Sequence, residues 1–87
     1  MTKKEFIAKI KEMGFTEYKF LNTNAPEYFY IVLQYVKLSV TIMGKTVRIF
    51  VINKKDLDFM HSVLLKETDK IDEKFLNSVK KLVNLFA

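Results

Sequence analysis

Eighty-seven residues, 49% of them hydrophobic and 14% aromatic, suffice for one domain with a packed core and are too apolar for a disordered chain. With no cysteine, the chain has no disulfide framework, no thiol nucleophile and no cysteine metal site. Its net charge of +5 is spread over both halves, and Lys outnumbers Arg fourteen to one. That ratio points to an AT-rich genome, such as a low-GC bacterium or its phage, more than to an Arg-built nucleic-acid surface.

Thr2 and Glu5 have the spacing of a capping box, in which the hydroxyl accepts a backbone N–H and the carboxylate reaches back. Phe6, Ile7, Ile10 and Met13 then fall on one side of a helix, and Gly14 stands where a glycine ends one. A helix over residues 3–13 is expected. Residues 15–21 (FTEYKFL) read as a first strand, and Asn22, Thr23, Asn24, Ala25 and Pro26 as a loop. Only Phe6, Ile7 and Ala8 follow the polar start in an unbroken apolar run, which is no signal peptide. No apolar run reaches the ~20 residues of a membrane helix. A cytoplasmic location is the expectation.

Residues 28–53 are the most β-branched and aromatic part of the chain. A helix begun at Asn24, with Pro26 in its first turn, competes but suits these side chains poorly. No Gly, Pro, Asn or Asp interrupts residues 28–43. A straight strand of that length would span roughly 53 Å at about 3.3 Å per residue, against a domain diameter on the order of 30 Å. The strand must bend at a bulge near Gln34 and Tyr35, or turn there; the bend is the expectation.

Gly44 and Lys45 fit a two-residue type II′ hairpin loop, with Gly at the positive φ. Met43 then faces Thr46, Ile42 Val47, Thr41 Arg48, Val40 Ile49, Ser39 Phe50 and Leu38 Val51. Leu38, Val40, Ile42, Val47, Ile49 and Val51 share one aliphatic face, which a one-residue slip would destroy. The other face carries Lys37, Ser39, Thr41, Arg48, Phe50 and Ile52.

Asn53 offers a helix N-cap, with Asp56 and Asp58 near the dipole's positive end and Leu57, Met60, Val63 and Leu64 on the buried side. A helix over residues 53–66 follows, then a break at Glu67, Thr68 and Asp69. A last helix over residues 70–86 carries the stripe Ile71, Phe75, Val79, Leu82 and Phe86, widened by Leu76, Val83 and Leu85. So wide an arc suits contact with a sheet and with another helix or a partner chain. The expected fold is α+β in a single domain of residues 1–87: a helix, a three-stranded antiparallel β-meander with a long bent middle strand, then two C-terminal helices.

Motifs for chemistry are weak. Gly44, Lys45 and Thr46 resemble the end of a phosphate-binding loop, but Ser39 stands where that loop needs its first Gly, and a strand follows instead of a helix. Asp58 and His61 are spaced to share a metal on a helix, but the favoured reading is that Asp56 and Asp58 complement the helix dipole and His61 sits at the edge of the buried face. Ser39, Ser62 and Ser78 have no triad partner at a recognisable spacing. Neither an enzyme nor a cofactor or metal is expected.

Binding is the remaining class. Tyr28, Phe29, Tyr30 and Tyr35 crowd four rings into eight residues, and Tyr suits surfaces with one apolar and one wet end. Tyr28, Tyr30, Tyr35 and Phe50 are the candidate partner-binding residues. Lys45, Arg48, Lys54 and Lys55, with Lys70, Lys74 and Lys81 on the last helix, are candidates for phosphate contacts, with Phe50 for base stacking. The expected order of helix, three strands and helix resembles that of the double-stranded RNA-binding domain. In that family a Lys-rich helix start grips phosphate, and Lys54 and Lys55 hold the matching place. Where the family has a Gly-rich approach this chain has Arg48, Ile49, Phe50, Val51 and Ile52, and a further helix follows. The leading expectation is a non-enzymatic regulator, inhibitor or accessory factor that contacts another protein, or a second copy of itself as a homodimer. Nucleic-acid binding is the alternative.

Overall fold

The computed structural model describes residues 1–22, 24–54 and 61–87. The elements in order are α1 (Lys3–Glu12), β1 (Thr16–Tyr18), β2 (Glu27–Val32), β3 (Val36–Met43), β4 (Thr46–Asn53), β5 (Val63–Thr68) and α2 (Glu73–Phe86). The strands form one antiparallel sheet in the order β1-β2-β3-β4-β5. Phe6 and Ile10 of α1 and Phe75, Leu76 and Val79 of α2 share one buried cluster with Phe29, Leu38, Val40, Ile42, Val47 and Ile49 of the sheet. Alternation along the strands puts those sheet residues on one face, so both helices cover the same side.

The ends of α1 form as the sequence dictates. Thr2 Oγ1 accepts the Glu5 N–H at 3.1 Å, and the Glu5 carboxylate accepts the Thr2 N–H at 3.5 Å. Gly14 takes φ +111°, which turns the chain toward β1. The β3–β4 pairing matches the sequence register at every position from Met43–Thr46 to Leu38–Val51. Gly44 has φ +61° and Lys45 no positive φ, the type II′ combination.

Three expectations are corrected. The long bent strand is two strands, β2 and β3, joined by a tight turn at Gln34 and Tyr35. The Leu33 N–H donates to the Val36 carbonyl at 2.9 Å, and the Tyr35 carbonyl accepts the Lys54 N–H at 3.0 Å. No non-glycine residue among those described has a positive φ, so this turn needs none of the residues that mark turns in a sequence.

Second, the expected helix over residues 53–66 is contradicted at both of its ends. Asn53 closes β4 opposite Val36, and Val63–Thr68 is a fifth strand beside β4. Residues 55–60, with Lys55, Asp56, Leu57, Asp58 and Met60, lie outside the described residues. A short apolar run such as Val63, Leu64 and Leu65 fits both the helical and the strand period. Pairing satisfies the N–H and C=O groups along the outer edge of β4, which decides for the strand. A bulge at Leu65 puts Lys66 opposite Ile49 and Leu64 opposite Phe50. Third, α2 starts at Glu73, three residues beyond Lys70, because Asp72 caps it: Asp72 Oδ1 accepts the Phe75 N–H at 2.8 Å. The fold is α-β5-α, and the element order shared with the double-stranded RNA-binding domain is lost.

A candidate binding face on the sheet

Pairing fixes which residues share the face turned away from the helices. Cross-strand rows run Thr16–Tyr30–Ser39–Phe50–Leu64, Tyr18–Tyr28–Thr41–Arg48–Glu67 and Val32–Lys37–Ile52. Neither helix covers this face. Tyr28, Ser39 and Ile52 are buried on it, outside the core cluster under the helices.

At the β1 end the face becomes a pocket of about 400 Å³ lined by Tyr18, Phe20, Tyr28, Tyr30 and Lys37. Tyr28, 6% exposed, is its floor; Tyr18 at 54% and Phe20 at 43% form its rim. The rings are set edge to face: Tyr18–Phe20 at 5.0 Å and 73°, Tyr18–Tyr28 at 6.3 Å and 87°, Phe20–Tyr28 at 6.0 Å and 73°. Tyr28 and Tyr30 lie at 6.2 Å and 35°. Lys37 Nζ stands 5.7 Å from the Tyr28 ring centre and 5.5 Å from that of Tyr30, within cation–π range of both. The result is an apolar bowl with one cationic wall.

The aromatic candidates divide. Tyr28 and Tyr30 enter the pocket, and Phe50 shares the face two strands away, in the row of Tyr30. Tyr35 lies apart at the β2–β3 turn, 71% exposed. With Gln34, Val36, Asn53 and Lys54 it lines a second depression of about 370 Å³. Tyr18 and Phe20 were not expected in a site, and Lys37 was read as part of the outer hairpin face without being singled out. The alternation of Thr16, Tyr18 and Phe20 placed two of them on one side of the first strand, but nothing local showed that this side would meet Tyr28.

The basic candidates among the described residues do not form one patch. Lys45 is exposed at the β3–β4 loop. Arg48 lies on the aromatic face, held by Glu67 at 3.3 Å. Lys54 is exposed just after β4. Lys70 lies between β5 and α2, where its N–H donates to Thr68 Oγ1 at 3.1 Å. Lys74 and Lys81 are exposed on α2, across the sheet from Phe50. Lys55 lies outside the described residues.

His61 is exposed and precedes β5. Among the described residues no three His, Cys, Asp or Glu side chains gather as metal ligands. No described helix is long and apolar enough to cross a membrane. Set beside protein-family models, curated proteins and solved structures, the chain matches none. The described residues define an α+β domain with an antiparallel five-stranded meander and an aromatic pocket on the side of the sheet turned away from α1 and α2.

Proposed function

We propose that the protein is a small non-enzymatic binding protein, a cytoplasmic regulator, inhibitor or accessory factor of bacterial or phage origin, that holds a partner protein on the face of its sheet turned away from α1 and α2. The observation that carries this reading is the aromatic pocket. Tyr18 and Phe20 leave about half of their surface in solvent, beside a ring floor at Tyr28. Val32 and Leu64 extend the exposed apolar area on the same face. Large apolar groups gathered on one face, with polar tips on the tyrosines, are the chemistry of a protein contact.

Nucleic acid is the second reading, favoured by Lys37, Arg48 and Phe50 sharing this face. It is the weaker one, because Arg48 is engaged by Glu67 and the α2 lysines lie on the far side.

The test is affinity capture from cells of the source, comparing the wild type with the double variant Tyr18→Ser, Phe20→Ser and with Lys81→Ala. The reading expects proteins that the double variant loses and Lys81→Ala retains. Identical sets from all three, or a difference that nuclease removes, would refute it. The light-scattering mass of the same samples separates self-association from a foreign partner.

A further inference from the structure

We propose that the outer edge of β5 pairs with β5 of a second copy of the chain, joining two sheets into one across a two-fold axis at Leu64. This surface is separate from the aromatic pocket, which lies toward the β1 edge of the sheet.

β5 is six residues long and, among the described residues, pairs only with β4. The outer side of an edge strand presents backbone N–H and C=O groups on which another strand can build. Folded proteins blunt such edges with charge, with proline or by keeping them short. β1, at the other edge, has three residues, and its Glu17 is held by Lys11 at 3.2 Å. On β5, Lys66 and Glu67 guard only the second half. The first half is Val63, Leu64 and Leu65, exposed by 58%, 45% and 38%, with neither charge nor proline.

Register favours a second copy. An antiparallel pair of like strands about a two-fold axis sets one residue against its own copy, and a one-residue slip would join opposite faces of the two sheets. Centred on Lys66 or on Glu67, the pairing would set like charges against each other. Centred on Leu65, it would set Lys66 against Leu64 and Glu67 against Val63. Centred on Leu64, it sets Leu64 against Leu64 and Val63 against Leu65, and carries Lys66 and Glu67 past the aliphatic stretch. This register alone pairs all three aliphatic residues with one another.

α2 adds a second layer to the same contact. Asp72 and Lys74 line a depression with Thr68, and Lys66 Nζ donates to Ser78 Oγ at 2.7 Å, so α2 runs back along β5 with Ser78 on its near flank. Leu85, seven residues on, falls on the same flank and is 72% exposed. It lies roughly 10 Å beyond Ser78 along the helix, the length of about three strand residues. That carries it from the level of Lys66 to the level of Val63, beside the axis. An isolated peptide strand would cover the edge and leave Leu85 in solvent. A second copy covers both, because it brings the same two layers and its own Leu85. The added layer matters, since a stable interface buries on the order of 800 Å² per partner, more than a narrow strand edge supplies.

The experiment is light scattering on the full-length protein at rising concentration. The wild type should reach twice its 10.3 kDa mass. Leu64→Lys should stay at the monomer mass, because it sets two ammonium groups opposite each other and removes two leucines. The double variant Tyr18→Ser, Phe20→Ser, altered only near β1, should dimerise as the wild type does. The chain has no cysteine, so Leu64→Cys should give a disulfide-linked dimer on mild oxidation, at the spacing that opposed strand residues allow. Met43→Cys, exposed at the end of β3, should stay unlinked. Should Leu64→Lys fail to fold, Leu85→Lys and the two cysteine variants carry the same test. A monomer at every concentration would overturn the proposal. So would a dimer that Leu64→Lys leaves intact, a Leu64→Cys that forms no disulfide, or a dimer lost in the double variant. A mass that climbs without limit, the sign of head-to-tail pairing of β1 with β5, would overturn it as well.

Discussion

Arg48 and Glu67 stand opposite each other across β4 and β5, with Arg48 Nε 3.3 Å from a Glu67 carboxylate oxygen. The only arginine of the chain thus meets a carboxylate on the very face where a phosphate would have to bind. Both side chains are more than a third exposed, so the pair contributes little: Glu67→Gln should change stability by less than about 1 kcal/mol in chemical denaturation. Oligonucleotide binding at low salt should remain undetectable in this variant. A tight, salt-sensitive complex on releasing Arg48 would favour the nucleic-acid reading.

Gly14 ends α1 at φ +111°, and a β-carbon there would lie 3.3 Å from Ile31 Cδ1. Gly14→Ala therefore meets backbone strain and a close neighbour together, and should destabilise by about 1–3 kcal/mol. Gly44 has φ +61° and nothing within 4 Å of the same position. Gly44→Ala meets the backbone strain without the close neighbour and should cost less than Gly14→Ala. Thermal melts of both variants test the ranking.

The Phe6 and Phe75 rings meet at 5.9 Å and join α1 to α2 over the sheet. Phe6 is fully buried, so Phe6→Ala removes ring burial and leaves a cavity between the helices. The expected loss is about 3–5 kcal/mol, a large part of the ~5–15 kcal/mol that holds a typical domain folded. Urea titration should show a midpoint far below that of the wild type.

Asp72 caps α2 through the Phe75 N–H, and the same turn seats Phe75 in the core. Asp72→Ala should cost about 1 kcal/mol, whereas Asp72→Asn, which keeps the acceptor, should cost much less. Equal losses would mean that the charge rather than the hydrogen bond matters.

What the sequence made legible was local. The β3–β4 register followed from aliphatic alternation about Gly44, and α1 from Thr2, Glu5 and Gly14, because each is decided by residues within a few positions of one another. The turn at Gln34 and Tyr35 was hidden because its backbone uses ordinary φ values. The length limit on a strand over residues 28–43 did require a break there. β5 was read as helix because Val63 and Leu64 continue a helical spacing from residues 57 and 60. The open edge of β4, which favours a strand, is a property of the assembled sheet. The site was half visible for the same reason. Tyr28 and Tyr30 stood out as a ring cluster, but Tyr18 and Phe20 join them only through the β1–β2 pairing. Lys37 reaches Tyr28 and Tyr30 only because the β2–β3 turn folds its strand back.

On the proposed reading, function resides on the sheet face turned away from α1 and α2. Its most direct test is photo-crosslinking in cells of the source, with benzoylphenylalanine at position 18 in one sample and at position 81 in another. The account predicts a discrete protein adduct from position 18 and none from position 81. Adducts from position 81 alone, or a nucleic-acid adduct from position 18, would contradict it.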